Sequence, residues 1–277
     1  IRGSFRSRAM EDILDEVREL AESGVREIVL IAQDSANYGL DRYQKPMLPS
    51  LLRELTKIEK IAWIRVLYSY PKYFTDELID VIASEPKVVK YVDLPLQHAH
   101  DAVLRSMNRP DTRKGVEKLI QKLRERIPGV AIRSTFIVGF PGETDTHYQA
   151  LRSFVEEQRF DKVGIFTYSE EEDTPAAVMA QKVSEEVMQE RYHDLMSLQS
   201  KISEEINIAL ENHEIDVLIE GRDTEQQSIA VGRSYREAPE VDGQIYIEGD
   251  TESLVGDIVR VRLLQGFTYD IVGERVV

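Results

Sequence analysis

Several residues able to bind a small polar ligand stand where predicted strands end. Gln33 and Asp34 follow one apolar run, and Gln97 and His98 follow another. A carboxylate pairs with an ammonium and an amide binds a carboxylate, so Gln33 and Asp34 predict a site for the two ends of an amino-acid moiety. Gln97 and His98 predict binding of a ribose or of a substrate carboxylate. The alternative is that Gln33 and Asp34 cap their strand and that His98 is a satisfied loop residue.

A glycine-rich turn, Val138 to Glu143, follows a third apolar run. Glycine lets the backbone approach a ligand closely, but the turn lacks the lysine and the spacing of a nucleotide P-loop. A plain tight turn between a strand and a helix is the alternative. Arg133 lies on the same run, and a buried arginine needs an anionic partner. That partner is either a ligand carboxylate or an internal Asp or Glu.

Metal and nucleophile chemistry has little support in the sequence. His98 and His100 form a pair without a third ligand nearby, so no metal site is predicted. The 277 residues contain no cysteine, which excludes disulfides, a cysteine nucleophile and any thiolate-held cluster within them.

Helices and strands alternate through the first 169 residues, which predicts parallel strands and an α/β barrel or part-barrel. In such barrels the functional groups gather on loops after the carboxyl ends of the strands, where Gln33, Gln97 and Gly139 stand. Ser7 is predicted to cap the first helix, and a long helical stretch from 184 to 212 is predicted to close the domain. The predicted strands are 27–33, 62–69, 91–96, 132–139 and 162–169.

The composition changes after residue 212, which divides the chain into predicted domains at 1–212 and 213–277. Five short β-rich segments, separated by Gly- and Asp-rich turns, predict a small antiparallel β-barrel of the oligonucleotide-binding fold type. Those segments are 214–220, 228–231, 244–247, 258–264 and 269–276.

The chain is acidic, with 35 Lys and Arg against 50 Asp and Glu and a net charge of −15. Because affinity for a phosphate backbone comes mainly from cations, general nucleic-acid binding is disfavoured. Acidity suits a basic partner, although it also serves solubility. No apolar run has the length of a membrane span and no signal pattern is visible, so a cytoplasmic protein is expected.

Short blocks of residues, specific when taken together and in order, carry a family resemblance. They are Arg6–Arg8, Ala32–Gly39, Leu94–His98, Met107–Pro110, Thr135–Thr144, and Phe166–Ser169 followed by Thr174–Ala177. In this order they resemble the blocks of the radical S-adenosylmethionine methylthiotransferase family. The C-terminal segment resembles the small TRAM barrel that ends these enzymes. Its stretch Gly232–Gly243 resembles the version in the branch that modifies a small-subunit ribosomal protein.

The resemblance implies a partial (β/α) TIM-like radical SAM barrel followed by a TRAM barrel, with S-adenosylmethionine as cofactor. It also implies two 4Fe-4S clusters. Their cysteines are absent from this chain, so the ligands are expected outside it, and this chain alone is expected to be inactive. Because the pattern opens with a helix, a strand and the cluster loop are expected to precede Ile1.

The resemblance also implies roles for particular residues. Ile137, Phe166 and Tyr168 are expected to form an adenine pocket, and His98 and Arg133 to contact the substrate. The expected cofactor-binding residues are Gln33, Asp34, Gln97, Ile137, Gly139, Glu143, Phe166 and Tyr168.

Two substrates fit the family: an adenosine in transfer RNA, or an aspartate of ribosomal protein S-twelve. Residues 211–277 contain six Arg, no Lys and fifteen Asp or Glu, a net charge of −9. An RNA-binding barrel should be basic, so RNA is disfavoured here and the basic ribosomal protein is the expected partner. The carboxylates of the C-terminal barrel that are expected to dock this partner are Glu240, Asp242, Glu248, Asp250 and Glu252. The alternative to an enzyme is a non-catalytic scaffold that only binds partners.

Overall fold

The N-terminal part of the chain folds as an open α/β half-barrel; the computed structural model describes residue 3 and residues 5–276. Its strands are β1 (Glu27–Leu30), β2 (Trp63–Val66), β3 (Tyr91–Gln97), β4 (Ala131–Val138) and β5 (Lys162–Thr167). All ladders between them are parallel: β1 pairs with β2, and β4 lies between β3 and β5. A parallel bridge between Ile64 and Val88 joins the two groups. The predicted partial TIM-like barrel is therefore confirmed.

Helices cover the outer face of this sheet. They are α1 (Met10–Glu22), α2 (Leu40–Tyr43), α3 (Leu48–Thr56), α4 (Asp76–Ser84), α5 (Asp101–Ser106), α6 (Arg113–Arg126), α7 (Asp145–Gln158) and α8 (Glu185–Ala209). The side chains of Thr75, Thr112 and Thr144 accept a hydrogen bond from the first turns of α4, α6 and α7. Between sheet and helices lies an apolar core that includes the fully buried Phe136 and Phe160.

The prediction for Ser7 was wrong. Helix α1 begins at Met10 without a side-chain cap, and the Ser7 hydroxyl accepts a hydrogen bond from Gly39 N–H at 2.9 Å. The Ser7 N–H in turn donates to Asp41 Oδ2 at 2.9 Å. Ser7 therefore contacts Gly39 and Asp41, which are distant in the chain, instead of capping the helix that follows it.

Five strands of the C-terminal segment close into a barrel in the order β10-β8-β7-β6-β9. They are β6 (Glu214–Arg222), β7 (Ala230–Arg233), β8 (Ile245–Glu248), β9 (Ile258–Gly266) and β10 (Ile271–Arg275). The predicted five-stranded barrel is confirmed, but it is not wholly antiparallel, because β8 and β10 pair in parallel. Such a barrel leaves no unpaired sheet edge.

Helix α8 joins the two domains. Its Leu195 and Ile202 are buried in the half-barrel core, while Asn207 in its last turn donates to Phe267 O at 2.6 Å. A Cβ at Gly266 would lie only 2.4 Å from the Asn207 carbonyl carbon. Strand β9 therefore packs directly against the helix backbone.

Among residues 3 and 5–276, no helix is both long enough and apolar enough to cross a lipid bilayer.

Candidate functional site

A cavity of about 310 Å³ opens at the carboxyl ends of the half-barrel strands. This volume lies at the lower end of the range of about 300–1,000 Å³ that small-molecule sites occupy. The lining residues are Gln33, Tyr68, Ser69, Tyr70, Pro95, Gln97, Arg109, Arg133, Thr135 and Phe166. We call this end of the sheet the rim.

Alternation along the strands explains how these side chains meet. On β4, Ser134 and Phe136 are fully buried towards the helices, whereas Arg133 and Thr135 face the cavity. Neighbouring Phe166 lies on the same face of β5 and is 58% exposed. The rim therefore presents the exposed Phe166 ring beside polar groups, and the adenine pocket stays a prediction.

The backbone at the rim is strained at two non-glycine residues. Tyr68 has φ 57° and Gln97 has φ 72°, and both line the cavity. A left-handed conformation costs a non-glycine residue about 1–2 kcal/mol, and such costs concentrate at functional sites.

Asp34 stands beside the cavity and orders its wall. Its Oδ1 accepts a hydrogen bond from Tyr70 N–H at 3.1 Å, which is the contact expected of a strand-end cap. Burial raises the pKa of the Asp34 carboxyl, and the hydrogen bond from Tyr70 N–H partly offsets that rise. The neighbouring Gln33 lines the cavity directly.

Arg109 is a cation of the cavity wall to which the sequence analysis assigned no role. Its guanidinium lies 4.5 Å from the Tyr70 ring centroid, and its Nη2 donates to Pro95 O at 2.8 Å. Its Nε faces Asp111 Oδ2 at 3.8 Å. The only signal in the sequence was its membership of the block Met107–Pro110, because the stacking partner is far away in the chain.

His98 and Glu143 meet in the interior instead of at the cavity. His98 Nδ1 accepts from His100 N–H at 2.9 Å, so in the neutral ring the proton is on Nε2, 3.4 Å from Glu143 Oε2. Glu143 Oε2 also accepts from Gly139 N–H at 3.0 Å, and its Oε1 pairs with Arg191 Nη1 at 2.7 Å. The Glu143 side chain thus holds the glycine-rich turn in place. Its predicted contact with the cofactor stays a prediction, and only the backbone of the turn is free to make it.

The other predicted rim residues occupy neighbouring positions. Ile137 pairs in register with Phe166 across β4 and β5. Tyr168 packs edge-on against Phe140 with ring centroids 5.4 Å apart, and its buried hydroxyl has no partner among the described residues. Gly139 has φ 78°, which favours glycine.

Arg133 has carboxylate partners inside the protein. Its Nη1 lies 3.1 Å from Asp93 Oδ1 and its Nε lies 3.7 Å from Asp242 Oδ1 of the C-terminal barrel. These ion pairs are the internal alternative that the sequence left open. Burial raises the pKa of the Asp93 carboxyl, and the charge of Arg133 opposes that rise.

The described part of the chain contains no group of three or more His, Asp or Glu side chains placed to hold a metal ion. The full sequence has no cysteine, so these residues give a 4Fe-4S cluster no thiolate ligand. The cavity does fit an amino-acid-bearing nucleoside: it combines amides, an exposed aromatic face and a cation.

With this geometry established, comparison with known proteins places the chain in a family. It belongs to the radical SAM superfamily, whose model matches residues 1–155, and a TRAM domain model matches residues 213–276. S-adenosylmethionine is thus the cofactor that the cavity must be tested against.

Similar curated proteins carry the name ribosomal protein uS12 methylthiotransferase RimO. The one from Caldanaerobacter subterraneus is 48% identical over 99% of this chain, and the one from Desulfitobacterium hafniense is 49% identical over 100% of it. In both cases the match covers 62% of the relative. The chain therefore spans about three fifths of the length of these relatives.

Solved structures support the fold. Coproporphyrinogen III oxidase (HemN) from Escherichia coli, a radical SAM enzyme, superposes with a TM-score of 0.53 at 15% identity, over 70% of this chain and 46% of that one. The radical SAM methyltransferase TsrM from Kitasatospora setae gives 0.50 at 19% identity, over 62% and 33%. At these identities the likeness concerns the fold alone.

Proposed function

We propose that the protein containing this chain is a radical SAM methylthiotransferase that modifies an aspartate of ribosomal protein uS12. The observation that carries this proposal is the identity of 46–49% to curated uS12 methylthiotransferases along 99–100% of the chain. A ribosomal protein substrate would place the reaction in the cytoplasm.

The cavity at the rim supports this proposal through its binding groups. Bound S-adenosylmethionine supplies the radical chemistry of the family, and the protein's task is to bind, orient and exclude water. Gln33 and Gln97 offer amides to the polar ends of the cofactor, and Phe166 offers an exposed ring for adenine. Asp34 pairs with an ammonium group, while Arg109 is the cavity cation suited to a carboxylate.

The charge of the C-terminal barrel favours a protein substrate over transfer RNA, the second candidate. Its net charge of −9 over residues 211–277 would repel phosphates. However, the expected set of docking carboxylates needs correction. Asp250 is 4% exposed and accepts from Ser253, and the side chain of Asp242 is 3% exposed beside Arg133. Glu240, Glu248 and Glu252 remain on the surface.

The test uses the natural full-length protein with reconstituted clusters, incubated separately with uS12 and with transfer RNA. We expect mass spectrometry to find one methylthio group in place of a hydrogen atom on an aspartate of uS12, and unmodified transfer RNA. Modification of the RNA alone would overturn the proposal, and modification of neither would favour the non-catalytic scaffold.

A charge-reversed variant tests the docking surface in the same assay. Replacing Glu240, Glu248 and Glu252 with Lys should slow uS12 modification, and the loss should shrink as salt rises. The matched control reverses Asp12, Glu19 and Glu186, which are exposed on the half-barrel helices. Equal rates for the two variants would remove the barrel's role in recognition.

A further inference from the structure

The C-terminal barrel closes the half-barrel at the end opposite the rim. Its segment 233–242 enters the amino-terminal end of the sheet, which we call the floor. Arg233, Arg236 and Glu237 on this segment are at most 7% exposed. Arg65 of β2 donates to Tyr235 O at 2.8 Å, and the Tyr235 hydroxyl donates to Gly129 O at 2.8 Å.

One series of contacts leads from this floor to the cavity. Asp242 accepts from the Tyr91 hydroxyl at 2.6 Å and lies 3.7 Å from Arg133 Nε. Arg133 Nη1 donates to Asp93 Oδ1 at 3.1 Å. Asp93 Oδ2 accepts from Tyr68 N–H at 3.0 Å, and Tyr68 is the strained residue of the cavity wall.

The position of Arg133 makes this series sensitive to Asp242. Arg133 lines the rim cavity and also a second cavity of about 330 Å³ between β5, α8 and the C-terminal barrel. The guanidinium therefore has free space on either side. The carboxylates of Asp93 and Asp242, from two different domains, hold it between the two cavities.

We propose that Asp242 is a positioning residue through which the C-terminal barrel shapes the cofactor cavity. It holds Arg133, Arg133 holds the Asp93 carboxylate, and that carboxylate holds the strained Tyr68 backbone. Without Asp242 the guanidinium is free to turn towards the second cavity. The Asp93 carboxylate then loses the orientation that places one oxygen on the Tyr68 amide. The inference rests on the proposed function only in that S-adenosylmethionine occupies the rim cavity.

The test compares Asp242→Asn with Asp161→Asn in the natural full-length protein. Asp161 is a matched control, because it also forms an ion pair between the domains, with Arg236, and its other oxygen accepts from Ile132 N–H at 2.8 Å. Hydrogen exchange at the Tyr68 amide and the Kd for S-adenosylmethionine are measured for each protein. We expect both to rise about three- to tenfold in Asp242→Asn and to stay at wild-type values in Asp161→Asn.

A double-mutant cycle separates positioning from general destabilisation. If Asp242 acts through Arg133, the effect of Asp242→Asn on the Kd disappears in an Arg133→Gln background. If Asp242→Asn does not fold, Tyr91→Phe removes the hydroxyl that holds Asp242 and should give a smaller change in the same direction.

Two outcomes overturn the inference: an unchanged Tyr68 exchange rate and Kd in Asp242→Asn, or additive effects in the double variant. A wild-type protein that does not bind S-adenosylmethionine would instead refute the proposed function. The two failures are therefore distinguishable.

Discussion

The rim and the floor are opposite ends of the same five parallel strands, and they are built differently. At the rim, Tyr68 and Gln97 adopt left-handed backbone and Phe166 is 58% exposed. At the floor, Arg65 is fully buried and pairs with Glu27 at 2.8 Å. The comparison shows strain and open groups collected at one end, where a ligand can compensate for them, and paired groups at the other, where they serve stability.

The two ends also differ in how charge is neutralised. The floor joins Glu27 to both Arg65 and Arg233, so each buried charge faces an opposite one. The cavity wall at the rim leaves Arg109 with Asp111 no closer than 3.8 Å. The two close pairs of Glu27 are therefore costly to break, while the longer Arg109–Asp111 contact leaves a cation for an incoming group.

Removing a floor charge should have the largest effect. Arg65→Ala leaves Glu27 short of one partner and two backbone carbonyls without a donor, so the free energy of unfolding should fall by about 3–5 kcal/mol. Chemical denaturation of wild type and variant measures this fall. The control is Arg53→Ala, whose ion pair with Glu77 is exposed at the surface and should contribute about 0–1 kcal/mol. Similar losses in both variants would show that the buried ion pair at the floor contributes no more to stability than an exposed ion pair.

A glycine of the rim should give the next largest effect. Gly139 has φ 78°, and a Cβ there would lie 2.1 Å from Met188 Cγ on α8. Gly139→Ala should therefore lower the free energy of unfolding by about 2–4 kcal/mol, from backbone strain and from overpacking. Gly142→Ala, with φ 85° and its nearest atom 3.9 Å away, should show the strain alone, about 1–2 kcal/mol. Equal losses of the two variants in denaturation experiments would show that the Met188 side chain moves aside, so that packing at Gly139 contributes nothing beyond the backbone strain.

The smallest effect should concern affinity instead of stability. Asp34→Ala should weaken S-adenosylmethionine binding by about 1.5–3 kcal/mol if the carboxylate pairs with the cofactor's ammonium. Burial raises the pKa of Asp34 above its usual 3.8, and only the ionised form attracts a cation. Wild-type affinity should therefore decline as the pH falls through this raised pKa.

The same shift carries a signed effect on stability. Between pH 3.8 and the raised pKa, the native state keeps a proton that the unfolded state has lost, so the Asp34 contribution to stability falls as the pH rises. Asp41 is the control, because hydrogen bonds from Ser7 lower the pKa of its carboxyl and reverse the sign. Calorimetry of the wild type across this pH range checks the effect on stability. Titration of S-adenosylmethionine into wild type, Asp34→Ala and Asp41→Ala checks the effect on the Kd. A pH-independent Kd would remove Asp34 from the site.

Local patterns were enough to predict the architecture. The alternation around Ile132–Val138 is a short-range signal, and the structure contains the strand that it predicts. Helices α2 and α5 were not predicted, because four and six residues are too few to show a helical period.

The contacts of the site were harder to predict, because they join residues that are distant in the chain. Glu143 meets Arg191 48 positions away, and Arg65 reaches Tyr235 across 170. No local spacing encodes such a pair. Asp242 illustrates the consequence: its charge suggested a docking surface, while its 2.6 Å contact with the Tyr91 hydroxyl makes it part of the interior.

The close packing of Gly266 on Asn207 has a consequence for how a large substrate reaches the cavity. The barrel backbone packs against α8 and segment 233–242 lies at the floor, so both contacts hold the TRAM barrel at the end of the sheet away from the rim. On the proposed function, a ribosomal protein bound to the outer face of the barrel would dock at a distance from the cavity. On the proposed function, the length of the substrate segment that extends from this docking face would then decide which of its residues can enter the cavity.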